Sequence, residues 1–496
     1  MAVENKNDIR FIEKLALPLL GLSEEEVLYA ANHITVEDIS LTTSSSNSSI
    51  DDFYLIGNKK IIFNYLILFS EQSVLEIEFE NELDDESYRL LSFLFKSYAL
   101  YGRETSGKYI NNALINEQVN ELIVQKGLFA YMLNDKDFKN NNFDKLFKCL
   151  QRWSEKTYEG HNVCYGFLIN QGIEKSQKPI KIKSECFGNF IDFIGEEYSA
   201  VFTDGITSIV EIDSDCDFVS YRSTLHSDKP MPDNFEGVRL PIRFAQIIYE
   251  NVVDDKIGLF LLTNGDIIFA KDRSIAFVKR GGRWLNFSQK AFYDIISKYV
   301  SRSDVSSELI KAIYCSCLDI SFAHSGGLIA VVDTNKKEWK EDLKKENPII
   351  TKLDTISKED FEIFPRTLED IYYEEKKKID SNDFNETIKN NLHLDLNKRI
   401  TKKRYLLQIL KDNIYFPIID RKLRADLSGL DGAIIIDLNG NIIACGAIIA
   451  NKSGSSGGGR GSAARTLSKY GGFSIKISTD GYIEAFVDES RIYSIK

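Results

Sequence analysis

Residues 427–486 set the pattern for the carboxy-terminal half of this chain and read LSGLDGAIIIDLNGNIIACGAIIANKSGSSGGGRGSAARTLSKYGGFSIKISTDGYIEAF. Two apolar runs, Ile434–Ile436 and Ile442–Ile449, stand on either side of Asn439-Gly440. Asn-Gly favours a tight turn between two strands because both residue types tolerate a positive φ. These residues therefore predict a β-hairpin with buried apolar side chains.

A glycine-rich run and a short helix separate this hairpin from a second one. Lys452–Ser462 consists mainly of glycine and serine, which the interior of a helix or strand disfavours. Ser462 is a suitable N-cap, so we expect a short helix over Ala463–Tyr470. Phe473–Ser478 and Tyr482–Val487 flank an Asp-Gly turn and predict the second hairpin.

The glycine-rich run leads from a predicted buried strand into a helix N-terminus, which is a favourable position for an anion. Free backbone N–H groups and the helix dipole act there, and Arg460 and Arg465 add charge suited to phosphate oxygens. Asp431 offers a carboxylate to a divalent ion such as Mg²⁺ or Mn²⁺. We therefore expect a nucleotide site, with or without a metal ion. The candidate binding residues are Asp431, Gly432, Ala433, Gly458, Gly459, Arg460, Gly461, Ser462 and Arg465.

Asp431-Gly432-Ala433, the apolar strands after it and the glycine-rich run into Ala463-Ala464 resemble the nucleotide-binding domain of diadenylate cyclases. In that family the Asp-Gly-Ala motif supplies a carboxylate that helps to activate the ribose hydroxyl with a metal ion. An Arg-His-Arg motif after Gly-Thr grips the ATP phosphates. The resemblance implies a mixed twisted β-sheet flanked by helices, with Asp431 as the catalytic and metal-binding residue if the site is active.

The second motif departs from the family pattern. Gly459 stands in place of threonine, and Arg460-Gly461-Ser462 stands in place of Arg-His-Arg. The chain therefore resembles more closely the divergent relatives proposed as nucleotide sensors in bacterial conflict systems. This resemblance implies binding of ATP, another adenine nucleotide or a cyclic dinucleotide.

Two alternatives to a nucleotide sensor stay open. One is an active diadenylate cyclase, in which two sites must meet face to face in a symmetric homo-oligomer. The other is a structural interaction module with an empty site. In that case Asp431 only turns the chain before a strand, the glycine-rich run is a flexible connection, and Arg465 points to water. The presence of Asp431 together with a glycine-rich run that carries Arg460 favours a ligand site over an empty one.

Composition narrows the class of protein. The 496 residues exceed one ordinary domain, and an apolar fraction of 43% is enough for sizeable cores. A net charge of −12 gives no footprint for nucleic acid or an anionic membrane. Seven scattered cysteines lack zinc-ligand spacing. With no signal peptide or long apolar run, we expect a soluble cytoplasmic protein; its effector partner is not indicated.

The pattern of strands and helices predicts an α/β (α+β) chain in three parts. Residues 1–150 are expected to form a mixed α/β domain, and residues 151–245 a β-rich subdomain. Residues 246–496 are expected to form the diadenylate-cyclase-like nucleotide-binding domain. The Lys- and Glu-rich segment 333–401 is a charged insertion within it.

Overall fold

The computed structural model describes residues 27–32, 53–56, 60–64, 74–79, 85–106, 113–135, 141–171, 200–224, 240–287, 289–299, 305–336, 368–397, 415–449 and 458–495. Parts of two segments singled out in the sequence lie outside these ranges. They are residues 452–457 of the glycine-rich run, and residues 337–367 and 398–401 of the charged insertion. None of the described helices has the length and apolar character that crossing a membrane requires.

The described strands and helices confirm a mixed α/β chain. The strands are β1 (Val27–Asn32), β2 (Phe53–Ile56), β3 (Lys60–Asn64), β4 (Val74–Phe79), β5 (Thr157–Tyr158), β6 (His161–Asn162), β7 (Tyr165–Asn170), β8 (Ser208–Asp213), β9 (Phe218–Ser223), β10 (Lys256–Leu261), β11 (Ile267–Lys271), β12 (Ser274–Arg280), β13 (Arg283–Leu285), β14 (Gly327–Val332), β15 (Ala433–Asp437), β16 (Ile442–Ala447), β17 (Phe473–Ile477), β18 (Ile483–Val487) and β19 (Ser490–Ile495). The α-helices are α1 (Asp85–Ser106), α2 (Ala113–Leu133), α3 (Asn141–Ser154), α4 (Ala245–Asn251), α5 (Gln289–Tyr299), α6 (Ser307–Ala323), α7 (Leu368–Ser381), α8 (386–397), α9 (Arg421–Ser428) and α10 (Gly458–Ser468).

The chain divides into two compact units. The first unit comprises residues 1–230 and 244–291, and the second unit comprises residues 231–243 and 292–496. The first unit contains a four-stranded sheet in the order β1-β4-β3-β2 and a seven-stranded sheet in the order β13-β12-β11-β10-β7-β8-β9. The second unit contains a six-stranded sheet in the order β16-β15-β14-β17-β18-β19.

The core of the first unit joins its helices to the seven-stranded sheet. Phe129 of α2 and Phe147 of α3 pack against Phe269 of β11, with ring centroids 5.4 and 6.2 Å from that of Phe269. Strands β7–β9 precede residue 245 and strands β10–β13 follow it, yet β7 pairs with β10. The expected boundary at 245/246 therefore runs through one continuous sheet, because strand pairing joins segments that are distant along the chain.

The six-stranded sheet of the second unit contains both predicted hairpins. β15 pairs antiparallel with β16, and β17 pairs antiparallel with β18. β14 lies between the two hairpins, parallel to β15 and antiparallel to β17. β19 adds an antiparallel strand beside β18. The Asn-Gly and Asp-Gly turn signals thus identified both hairpins, and the two hairpin predictions are confirmed.

Helices cover both faces of this sheet. On one face, Ala464 and Leu467 of α10 belong to the same buried cluster as Leu328 of β14. Helices α6 and α9 pack on the other face, where a Cβ added to Gly327 would lie 3.3 Å from the Ile320 side chain. The sheet is therefore the middle layer of an α/β/α arrangement.

The helix after the glycine-rich run begins earlier than the sequence predicts. α10 starts at Gly458, so the expected start at Ala463 with Ser462 as the N-cap is wrong. Ser462 lies inside the helix and is only 4% exposed. A helical glycine costs about 1 kcal/mol relative to alanine, but most of the stability of a protein helix comes from packing. The burial of Ala464 and Leu467 against the sheet supplies that packing.

A buried ion pair ties α6 to α9. Arg421 donates from Nε to Oδ2 of Asp319 at 2.8 Å and from Nη2 to Oδ1 at 2.9 Å. The backbone N–H of Ile242 also donates to Oδ1 of Asp319, at 2.8 Å. Both charged side chains are 3% exposed. Geometry of this kind satisfies charges that would otherwise be costly to bury.

We expect Asp319→Asn to destabilise the second unit by about 3 kcal/mol, because it leaves the charge of Arg421 buried without a carboxylate. Hydrogen–deuterium exchange of peptides from α6 and α9 would then accelerate about a hundredfold. The matched control is Asp426→Asn on α9. It removes an ion pair with Lys422 in which both side chains are about 60% exposed, so its cost should stay below about 1 kcal/mol. Equal exchange in the two variants would contradict this prediction.

Candidate functional site

One end of the six-stranded sheet brings the sequence motifs together. β14 and β15 are parallel, so the residues before them meet at the same end. These are Gly326 before β14 and Asp431-Gly432 before β15. β16 and β17 run in the opposite direction, so the residues that follow them reach this end too. We call it the glycine end; β16, the last described strand before the glycine-rich run in the sequence, ends there.

Arg460 lies at the glycine end. A Cβ added to Gly326 would lie 2.6 Å from Nη1 of Arg460 and 3.3 Å from Cγ2 of Thr479. Gly326 also has a φ of +67°, which side chains other than glycine rarely adopt. A side chain at position 326 would therefore clash with the guanidinium of Arg460, and glycine avoids this clash. Arg460 is half-buried, so its charge is held against the sheet and still reaches solvent.

The Asp431-Gly432 step is fixed by close backbone packing against β16. Gly432 has a φ of +100°, and a Cβ there would lie 2.5 Å from the carbonyl carbon of Gly446. A Cβ added to Gly446 would in turn lie 3.3 Å from the carbonyl oxygen of Asp431. Asp431 itself is exposed. Its carboxylate is therefore presented to solvent from a backbone that has little freedom.

The first turn of α10 contains two glycines, Gly459 and Gly461, at which the described residues leave room for a Cβ. Among the residues that the structure describes, nothing lies within 4 Å of a Cβ added to exposed Gly459. A Cβ added to Gly461 would meet only the end of Lys476, with Nζ at 3.9 Å and Cδ at 4.0 Å. Neither glycine has a positive φ. Packing within the described chain therefore gives no reason for glycine at these two positions.

Three of the expected binding residues do not face the open turn. Ala433 is fully buried in the sheet, where it pairs with Ala447. Ser462 is buried within α10. Arg465 is exposed, and its Cζ lies 5.6 Å from the ring centroid of Phe486. The helix rises 1.5 Å per residue, so Arg465 stands more than a turn beyond Arg460. The glycine end thus combines Asp431 and Gly432 with Arg460 and the turn that starts at Gly458.

Sequence reasoning missed three residues at or beside this end. Gly326 lies against Arg460, Thr479 lies beside Gly326, and the ammonium of Lys476 approaches Gly461. Gly326 had a signal in the sequence, since the pair Gly326-Gly327 stands directly before the apolar run Leu328–Val332. Thr479 and Lys476 belong to the second hairpin and carry no motif. Only the pairing of β17 with β14 shows that this hairpin borders the glycine end.

Neither a metal cluster nor a known relative identifies this end. Among the described residues, no group of three or more His, Cys, Asp or Glu side chains could hold a metal ion. Comparison of the chain with family models, curated proteins and solved structures finds no match. The chemical character of the glycine end comes from its exposed carboxylate, its guanidinium and the backbone of an open helical turn.

Gly461→Ala is expected to raise the free energy of unfolding of the second unit by about 0.5–1 kcal/mol, because alanine favours a helix and its Cβ fits. The matched control is Gly472→Ala, whose Cβ would run into the carbonyl oxygen of Val331. That variant should lose about 1–3 kcal/mol through overpacking. Thermal unfolding midpoints measure both effects. A lower midpoint for Gly461→Ala would show that the glycine has a structural role.

Proposed function

We propose that the second unit binds an adenine nucleotide or a cyclic dinucleotide at the glycine end and serves as a nucleotide sensor. A phosphate group would lie at the first turn of α10, where backbone N–H groups are available, and Arg460 would hold its charge. Asp431 would face the sugar hydroxyls of the nucleotide. Where Mg²⁺ or Mn²⁺ accompanies the ligand, Asp431 would hold it together with phosphate oxygens, as is common for Mg²⁺.

The observation that carries this proposal is the unexplained pair of glycines, Gly459 and Gly461. Each costs about 1 kcal/mol in a helix relative to alanine, and the described residues leave room for a Cβ at both positions. Glycine also serves where a ligand must approach the backbone closely. Gly459 is exposed, whereas Gly461 is buried beside Lys476. A phosphate seated on the turn at Gly459 would need a backbone that no Cβ covers, which would give the cost in helix stability a functional reason.

Binding without catalysis fits the residues better than synthesis of a cyclic dinucleotide. The resemblance to diadenylate cyclases places a histidine and a second arginine where this chain has Gly461 and Ser462. Gly461 has no side chain, and Ser462 is buried. Losing one positioned donor to a developing charge costs about 10²–10³ in rate. A binding protein loses affinity from the same change but keeps its function.

Binding would be tested by calorimetry with ATP, AMP and cyclic di-AMP. We expect the parent chain to bind at least one of them, and Arg460→Gln to weaken that binding about 10–100-fold through loss of a charge-assisted contact. Gly461→Ala should also weaken binding, by about tenfold, while the fold becomes more stable. Lys469→Gln is the control, because Lys469 is exposed and pairs with Glu489. Absence of binding by the parent to every probe would refute the proposal.

The alternative of an active cyclase is tested separately, by incubating the chain with ATP and Mg²⁺ or Mn²⁺. Mass spectrometry would identify the products, and Asp431→Asn would be run in parallel. As a sensor, the parent and the variant should both leave ATP intact. Cyclic di-AMP from the parent and none from Asp431→Asn would establish an enzyme and overturn the sensor assignment.

A further inference from the structure

The face of the sheet beside α10 carries a charged network that is unrelated to the sequence motifs. Lys476 of β17 donates to Oε2 of Glu484 on β18 at 2.8 Å. Arg491 of β19 donates to Oε1 of the same carboxylate at 3.1 Å. The Glu484 side chain is 8% exposed, whereas those of Lys476 and Arg491 are 21% and 48% exposed. One nearly buried carboxylate thus holds two cations that still reach solvent.

This network borders the open turn of α10 through Lys476. The Nζ atom of Lys476 lies 3.9 Å from the position of a Cβ on Gly461. Neighbouring Ser474 points to the same face and donates to the carbonyl oxygen of Ala464 at 2.6 Å, which fixes α10 over this part of β17. A histidine or arginine at 461 would occupy the space that the ammonium approaches. A small residue at 461 therefore leaves room for the lysine, and alanine would also do so, since its Cβ would lie 3.9 Å from Nζ.

We propose that Lys476 is a phosphate-binding residue of the glycine end and that Glu484 tunes it by holding its ammonium in place and partly neutralising it. The inference rests on the proposed nucleotide function. Arg460 belongs to the first turn of α10 and its guanidinium lies beside Gly326, and Lys476 approaches the same turn at Gly461 from the β17 side. Two cations on one turn suit a ligand with more than one phosphate group, so we expect Lys476 to favour ATP over AMP.

The chemistry of the lysine supports this role. An ammonium on a flexible stem can turn from a carboxylate to a phosphate with little backbone movement. Its hydrogen bond to a phosphate oxygen is charge-assisted, as is its present bond to Glu484. The exchange between these two partners makes the affinity for the ligand depend on the charge of residue 484.

The test compares ATP and AMP binding by calorimetry in the parent, Lys476→Gln, Lys476→Arg and Glu484→Gln, with Lys469→Gln as the charge-matched control. We expect Lys476→Gln to weaken ATP binding about tenfold and AMP binding less, and Lys476→Arg to retain affinity within about threefold. Glu484→Gln should strengthen ATP binding severalfold, because it frees both cations. Lys469→Gln should leave both affinities unchanged. Thermal unfolding of each unliganded variant shows whether it is folded.

The opposite effects expected for Lys476→Gln and Glu484→Gln on ATP affinity distinguish a binding role of the network from a purely structural one. A purely structural network would lose stability in both Lys476→Gln and Glu484→Gln, and ATP affinity would fall in both or change in neither. Equal ATP affinity of folded Lys476→Gln and the parent would overturn the role of Lys476 and leave the sensor proposal standing. If the parent bound none of ATP, AMP and cyclic di-AMP, the sensor proposal would fail and this inference with it.

Discussion

The parallel pairing of β14 with β15 is the constraint on which the second unit depends. Parallel neighbours cannot be joined by a tight turn and need a long crossover, and here the chain between Val332 and Ala433 makes the connection. It contains the charged insertion with α7 and α8. Because both strands start at the same end, Gly326 and Asp431 become neighbours there, although 104 residues separate them. A rigid sheet that presents loops at one end is a common way to position a binding site.

Glycine has two different roles around this sheet, and the three-dimensional structure is needed to distinguish them. At Gly327, Gly432 and Gly472 a Cβ would run into the backbone of a neighbouring segment, so glycine allows the layers to pack closely. At Gly459 and Gly461 the described chain leaves space. The first group stabilises the fold, and the second group lowers helix stability without a packing benefit. Residues that lower local stability in this way are typical of functional sites, where the sequence departs from local structural preferences.

The sequence predicts those features whose signals are local. The two hairpins follow from apolar runs around Asn-Gly and Asp-Gly, since turn chemistry and strand pattern act over a few residues. The start of α10 could not be predicted, because packing of Leu467 on the sheet overrides the low helix propensity of the glycines. The pairing of β7 with β10 is also non-local, and it moves the hairpins after residue 255 into the first unit. Lys476 carries no motif and becomes notable only when β17, β18 and α10 are placed together.

The pairing of Lys476 with Glu484 beside the glycine end is better suited to a sensor than to a catalyst. A catalyst gains only from contacts that strengthen in the transition state, so its donors must be aimed at charge that develops during the reaction. Lys476 pairs with Glu484 in this structure, and an ammonium placed in advance in this way would suit the ground-state charge of a phosphate. A sensor needs only a difference in affinity between two states of the protein. Exchange of Lys476 between Glu484 and a phosphate would provide such a difference, because the carboxylate and its second cation, Arg491, must then rearrange. A ligand bound at the glycine end would in this way alter the β17–β19 side of the sheet.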